Sequence, residues 1–288
     1  MHSSQIRKHV ESDIRLENLD ALHPHEKTDP KAVNQLAQEI EADGLQKDPI
    51  IVEKDSRVVL DGMHRLAALK KLACTSILCY LVPYKDALVD RWCRLLISNQ
   101  TIPLIQLIES MQRLDKFNIE YINDPHEAAQ FVNESKAAGA LITKEKSILI
   151  NNKYPIKDLV EIYNYLMFVA VLFRFHFNIN ARYSSKIEIE RKDVVGVLVP
   201  PIVNKKDVIK AAKSNVLFPL KSTRHILKIR PLSIDLPLSF LQEENIEGNN
   251  EKLKSFLHQK KINYLPRGTK IRGRTYEEAI LQYEQLNQ

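Results

Sequence analysis

Apolar residues recur along this chain with two periods. Val33, Leu36, Ala37 and Ile40 stand at i, i+3, i+4 and i+7, one face of a helix. Asp29 precedes that stretch as an N-cap, Pro30 suits its first turn, and Gly44 falls where a helix end takes a left-handed residue. Residues 16–22 alternate charged and apolar side chains, which predicts a short strand, and His23-Pro24-His25-Glu26 follows as a proline-constrained loop. Residues 49–52 and 57–60 predict two strands joined by a turn at Lys54-Asp55-Ser56. Asp61-Gly62-Met63-His64-Arg65 then leads into a helix rich in alanine and leucine at 66–72, and 76–82 predicts another strand. Strand, helix, hairpin, helix, strand is the order of a compact α/β lobe.

Beyond this lobe, the pattern predicts helices at 87–96, 104–117, 126–138 and 156–175, strands at 186–190 and 194–199, and a helix at 205–213 after Pro200-Pro201. Residues 216–230 read as a loop, 231–241 as strand-like, 243–250 as a linker and 275–286 as a terminal helix. The expected fold class is therefore α/β (α+β), with a first lobe at 1–85, a second mixed α/β lobe at 86–244 and an extension at 245–288. No internal repeat is visible.

Composition narrows the class. At 44% hydrophobic and 27% charged residues the chain is that of a folded globular protein, not a disordered or fibrous one. No apolar run approaches the ~18 residues of a membrane span, and the polar start shows no signal peptide, so no membrane partner is expected. Three cysteines, Cys74, Cys79 and Cys93, form neither a disulfide framework nor a CxxC metal pair. A reducing cytoplasm is the expected compartment. The net charge of +6 is concentrated: residues 252–274 hold eight Lys or Arg and no Asp or Glu, so the remainder is close to neutral. Nucleic-acid binding is an expectation for that segment alone.

Four places carry side chains suited to chemistry. Asp61 to Arg65 joins a strand to a helix. Glycine permits close backbone approach, the helix N-terminus presents N–H groups that suit phosphate, and His64 and Arg65 add donors. Asp61, at the strand end, can hold Mg2+ or a polar substrate group. A tight turn with a solvated arginine and a packed histidine has the same spacing. Glu26, on a proline-stiffened loop, suits a positioned general base, and equally an exposed loop carboxylate. Lys221-Ser222-Thr223-Arg224-His225 suits a carboxylate or phosphate, and equally a surface charge run. Trp92, the single tryptophan, reads first as core. Walker A, GxGxxG, HExxH and GxSxG motifs and the protein-kinase signature set are absent from the sequence.

Together these elements resemble the ParB/sulfiredoxin superfamily over residues 14–82. Within it the sequence is most similar to the free L-serine kinases, which include archaeal ADP-dependent and staphylococcal siderophore-pathway members. Their Pro-His-Glu, DGxHR, tryptophan and Lys-x-Thr-Arg-His motifs occur here in order, as Pro24 to Glu26, Asp61 to Arg65, Trp92 and Lys221 to His225. Sulfiredoxin requires a cysteine in the turn, where this chain has Met63. Partition proteins carry a GERR-type box and a helix-turn-helix, neither of which is found. The resemblance implies transfer of a phosphoryl group from ADP or ATP, with Mg2+, to free L-serine, serving cysteine or siderophore-precursor synthesis. It implies Glu26, Asp61 and His64 as catalytic residues, Gly62, Met63, His64 and Arg65 as the nucleotide cradle, and Asp61 as the metal contact. It assigns the amino acid to Trp92, Lys221, Ser222, Thr223, Arg224 and His225, and implies two lobes closing a cleft over it. The alternative is a ParB-like nucleotide-dependent DNA-binding or regulatory protein.

Overall fold

The computed structural model describes residues 3–100, 102–113, 115, 117–134, 136–153 and 158–285. The chain folds into two units. One comprises the residues up to Leu88, Ala212–Asn215 and those from His225 onward; the other comprises Val89–Ala211 and Val216–Arg224.

The first unit holds a five-stranded sheet in the order Ile14–Asn18, Ser76–Val82, Ile50–Glu53, Val58–Asp61, His23–Pro24. Ile50–Glu53 and Val58–Asp61 form the expected antiparallel hairpin, and His23–Pro24 joins its far side in parallel, pairing His23 with Val58 and Pro24 with Val59. The helix Pro30–Asp43 forms as its caps dictate. Asp29 accepts the Lys31 N–H at 2.9 Å, and Gly44 closes the end at φ +66° with its N–H on the Ile40 carbonyl. Val33, Ala37 and Ile40 are its buried face, and it packs on the helix Met63–Lys71.

That second helix starts at a position only glycine fills comfortably. Gly62 sits at φ +103°, and a Cβ there would lie 2.4 Å from Ile50 Cγ2 and 2.9 Å from Ile50 Cβ. An L side chain would meet both an unfavourable backbone conformation and the neighbouring strand.

Residues 245–288, expected to stand apart, fold into the first unit. Residues 243–250, read as a linker, enter the helix Ile246–His258, where Asn249, Leu253 and Leu257 are buried. The 275–286 stretch forms a strand, Ala279–Gln285, rather than a helix; Leu286 lies outside the described residues. This strand lies between Ile229–Leu232 and Lys260–Leu265, and Ile280, Leu281 and Tyr283 are buried. Burial on both faces replaces the alternating pattern of a half-exposed strand with near-continuous apolar character. Beside it, Arg230 and Glu278 form a buried pair, with Nε and Nη2 at 3.0 and 2.8 Å from Glu278 Oε1. The positive charge of this segment is also partly spent internally. Lys252 pairs with Glu243, Arg272 with Asp48, and Lys260 is 5% exposed.

The second unit is built on a six-stranded sheet, ordered Asn180–Ser184, Cys93–Ile97, Val194–Val199, Gly139–Ile142, Ser147–Asn152, Phe117–Ile122, with antiparallel neighbours. Leu96, Leu141 and Leu198 face the helices Leu104–Gln112 and Leu159–Phe177, while Cys93, Leu95 and Val197 face Pro125–Asn133. Both faces are covered, which explains why 87–96 mimics a helix in sequence but forms the strands Leu88–Arg91 and Cys93–Ile97. Residues 186–190, expected as a strand, lack strand structure, and the strands Thr223–Ile226 and Ile229–Leu232 occupy part of the expected 216–230 loop. Ile156, the first residue of the predicted 156–175 helix, lies outside the described residues; the helix observed is Leu159–Phe177. Among the described residues it is the one helix long and apolar enough by length and composition to cross a membrane, and eight of its side chains are buried.

Gly62→Ala is expected to lower stability by about 2 kcal/mol or more in urea unfolding. The double variant with Ile50→Ala should lose less than the sum of the two single losses, because the smaller residue removes the close contact but leaves the strained φ and its own cavity. An unchanged midpoint for Gly62→Ala would show that the turn accepts a side chain. Glu278→Ala strips a buried guanidinium of one partner, and a loss of about 3 kcal/mol is expected in the same measurement. A neutral result would show that the pair does not hold the C-terminal segment.

Candidate functional site

The strand Val58–Asp61 delivers the chain to the glycine turn, and Met63 begins a helix whose first N–H groups receive no side-chain cap. Uncapped N–H groups and the positive end of the helix dipole make this a ready anion site. Arg65 holds the turn from behind. Its Nη1 donates to the carbonyls of Asp48 and Pro49 at 2.8 and 2.7 Å, and Nη2 lies 3.8 Å from Asp61 Oδ2. Its guanidinium is thus engaged with the protein rather than presented to a ligand as the sequence suggests. His64 Nε2 accepts the Asp29 N–H at 3.1 Å, which places the proton of a neutral ring on Nδ1.

Asp61 is gripped by Arg230, Nη1 to Oδ2 at 2.6 Å, and Arg230 is held in turn by Glu278. Burial works against ionisation of Asp61, but Arg230, Arg65 and Arg274 outweigh it and hold the carboxyl far below the usual range. Neither Arg230 nor Glu278 is singled out by the sequence. An arginine inside Ile229-Arg230-Pro231-Leu232 is a recoverable signal, whereas Glu278 carries none.

Glu26 is buried, 3% exposed, which excludes the exposed-loop reading. Glu26 follows two residues after His23–Pro24, which pairs in parallel with Val58 and Val59, and the buried His25 between them feels the charges of both Glu26 and Asp61. His25 is fully buried. Its Nδ1 lies 2.7 Å from the Val59 carbonyl, so Nδ1 carries the proton, and Nε2 lies 3.8 Å from Glu26 Oε1. Burial pushes His25 below the usual imidazole range, against the pull of Glu26, the Val59 carbonyl and Asp61. His225 packs edge-on to His25 with ring centroids 5.4 Å apart and meets the Tyr84 hydroxyl at 3.0 Å through Nε2. Burial and then the neighbouring His25 drive its pKa well down, so both rings are neutral near pH 7.

The predicted Lys221–His225 cluster therefore divides. His225 belongs with His25, while Lys221 and Arg224 lie with Trp92 in the second unit. Lys221 Nζ is 5.2 Å and Arg224 Cζ 5.6 Å from the indole centroid, and Arg224 pairs with Asp90. Trp92 is half-buried under two cations, not a core residue. Ser222, fully buried, donates to the Pro219 carbonyl at 2.7 Å and pins the loop; Thr223 beside it is buried.

Among the described residues no three His, Cys, Asp or Glu gather as a metal cage. Mg2+ needs less: one or two carboxylates, its own waters and substrate phosphates suffice. Asp61, ionised and adjoining the anion-binding turn, fits that requirement.

No family model matches the sequence. The chain is 22% identical over 231 residues to the ADP-dependent L-serine kinase SerK of Thermococcus kodakarensis, covering 77% of this chain and 90% of that protein. It is 27% identical over 246 residues to an ATP-dependent L-serine kinase of Staphylothermus marinus, covering 82% and 93%. Among solved structures, a free serine kinase in complex with AMP superposes with a TM-score of 0.63 at 23% identity over 80% of this chain and 93% of that one. SbnI with a C-terminal truncation, from Staphylococcus aureus, gives 0.69 at 16% identity over 87% and 98%. The chain is thus similar in sequence to the L-serine kinases and has the mixed α/β fold that free serine kinase and SbnI share.

Proposed function

We propose that this protein transfers the terminal phosphoryl group of ADP or ATP to the hydroxyl of free L-serine, giving O-phospho-L-serine. The observation that carries this reading is the buried Glu26 carboxylate, two residues beyond the short strand that pairs with Val58–Asp61, the strand that leads into an uncapped, glycine-dependent helix start. It occurs in a chain whose relatives are named as L-serine kinases using ADP or ATP. Phosphoryl transfer needs positioning and charge neutralisation more than covalent help, and this arrangement supplies both.

The backbone N–H groups of Met63 and His64 take phosphate oxygens at the helix start, with His64 Nδ1–H as a side-chain donor. Gly62 lets the phosphate approach the backbone. Arg65 keeps the turn in shape through Asp48 and Pro49. Glu26 accepts the hydroxyl proton as the serine oxygen bonds to phosphorus and the bond from phosphorus to the departing nucleotide oxygen breaks. His25 holds the segment in place through Val59 and, being neutral with its proton on Nδ1, leaves the negative charge on Glu26 uncompensated by an imidazolium. Asp61 would hold Mg2+, which when bound neutralises phosphate charge. Trp92, Lys221, Thr223 and Arg224 recognise the amino acid, with Ser222 fixing their loop and His225 anchoring its far end. The product carries a good leaving group on its β-carbon, which suits later replacement in cysteine or siderophore-precursor synthesis. The DNA-binding alternative is not favoured by the relatives.

Glu26→Gln is expected to lower kcat for O-phosphoserine formation by about 10²–10⁴-fold with an unchanged melting temperature. Activity within a few-fold of wild type would remove Glu26 from the base role. Arg224→Ala should raise the KM for serine about ten-fold or more while leaving the nucleotide KM in place. A raised nucleotide KM with unchanged serine KM would move Arg224 to the phosphate side.

A further inference from the structure

Arg94 lies on the strand Cys93–Ile97, paired with Tyr183 on one side and Leu198 on the other. It is 1% exposed, and among the described residues none of its guanidinium nitrogens, Nε, Nη1 or Nη2, has a hydrogen-bond partner. The centroid of the Tyr183 ring lies 5.4 Å from Cζ. Leu96, two residues on, and Leu198, opposite, belong to an apolar core. An arginine cannot escape this by losing its proton, as a buried lysine can. An aliphatic residue at this position would serve the fold as well or better. A planar fork of donors kept dry and unspent fits an anion that the protein alone does not contain.

The location says which anion. Arg94 lies two residues beyond Trp92, and the loop bearing Lys221 and Arg224 packs on that indole, so the cationic loop lies at this end of the sheet. Arg224 shares its guanidinium with Asp90, and Lys221 offers a point charge rather than a fork, so neither alone supplies the two-toothed grip a carboxylate takes. We propose that Arg94 is the receptor for the α-carboxylate of the amino-acid substrate, gripping both oxygens in the second unit. This rests on the serine-kinase reading and deepens it by naming the group that distinguishes an amino acid from a simple alcohol. Tyr183 covers the guanidinium from an edge strand and is 38% exposed, so its rotation offers the ligand a way in.

The test compares L-serine with L-serinamide, which keeps the hydroxyl and the amine but lacks the carboxylate, at saturating nucleotide. Wild type is expected to prefer L-serine. Arg94→Met should raise the L-serine KM by about 10- to 150-fold. It should leave the serinamide KM and the nucleotide KM unchanged, and melt no lower than wild type. Arg94→Lys, which keeps the charge and loses the fork, should show the same selectivity loss and serves if the methionine variant does not fold. An L-serine KM within three-fold of wild type, or equal losses for both substrates, would overturn the proposal while leaving the kinase reading intact. Conversely, if wild type makes no phosphoserine but L-serine raises its melting temperature and that of neither variant, the kinase reading falls and the carboxylate receptor stands.

Discussion

One backbone position governs the arrangement: between the strand Val58–Asp61 and the helix Met63–Lys71, the chain passes so close to Ile50 that no Cβ fits. That contact draws the turn down onto the hairpin and leaves the helix N-terminus uncapped, with its N–H groups available to an anion. Two arginines and a strand pairing support the same turn. Arg65 ties it to the carbonyls of Asp48 and Pro49, and Arg230 fixes Asp61 at its entrance. The parallel pairing of His23–Pro24 holds the segment that leads to Glu26 against Val58 and Val59.

Protonation is arranged by environment. Two histidines are buried and neutral, while two carboxylates close by serve different ends. Asp61 is kept ionised by Arg230, Arg65 and Arg274, and Arg230 is shared between Asp61 and Glu278. Burial outweighs the pull of Glu26, the Val59 carbonyl and Asp61, so the ring next to Glu26 does not change its charge near neutral pH. The C-terminal segment contributes Glu278 to this network and the central strand of a three-stranded sheet.

The legible parts of the sequence were those where local chemistry dictates structure. Asp29, Pro30 and Gly44 bound a helix as capping rules require, and Asp61 to Arg65 form the strand-to-helix turn that their spacing implies. Glu26 was legible as a residue but not in its surroundings, since its burial comes from strand pairing with residues more than thirty positions away. Cys93–Ile97 and Ala279–Gln285 were misread because strands buried on both faces lose the alternation that marks a strand. Arg230 and Glu278 meet across 48 residues, and the orphaned Arg94 is visible only once its neighbours are known to offer it nothing. The basic stretch 252–274 looked like a free tail because composition does not show that Glu243 and Asp48 lie next to its charges.

The central claim is that the glycine turn and Glu26 together move a phosphoryl group onto a free amino-acid hydroxyl. Phosphorus NMR of the full-length protein with L-serine, Mg2+ and either ADP or ATP tests it directly. The account predicts an O-phosphoserine resonance growing in step with AMP or ADP. Nucleotide that stays intact, or that is consumed into inorganic phosphate alone with both donors, would contradict it.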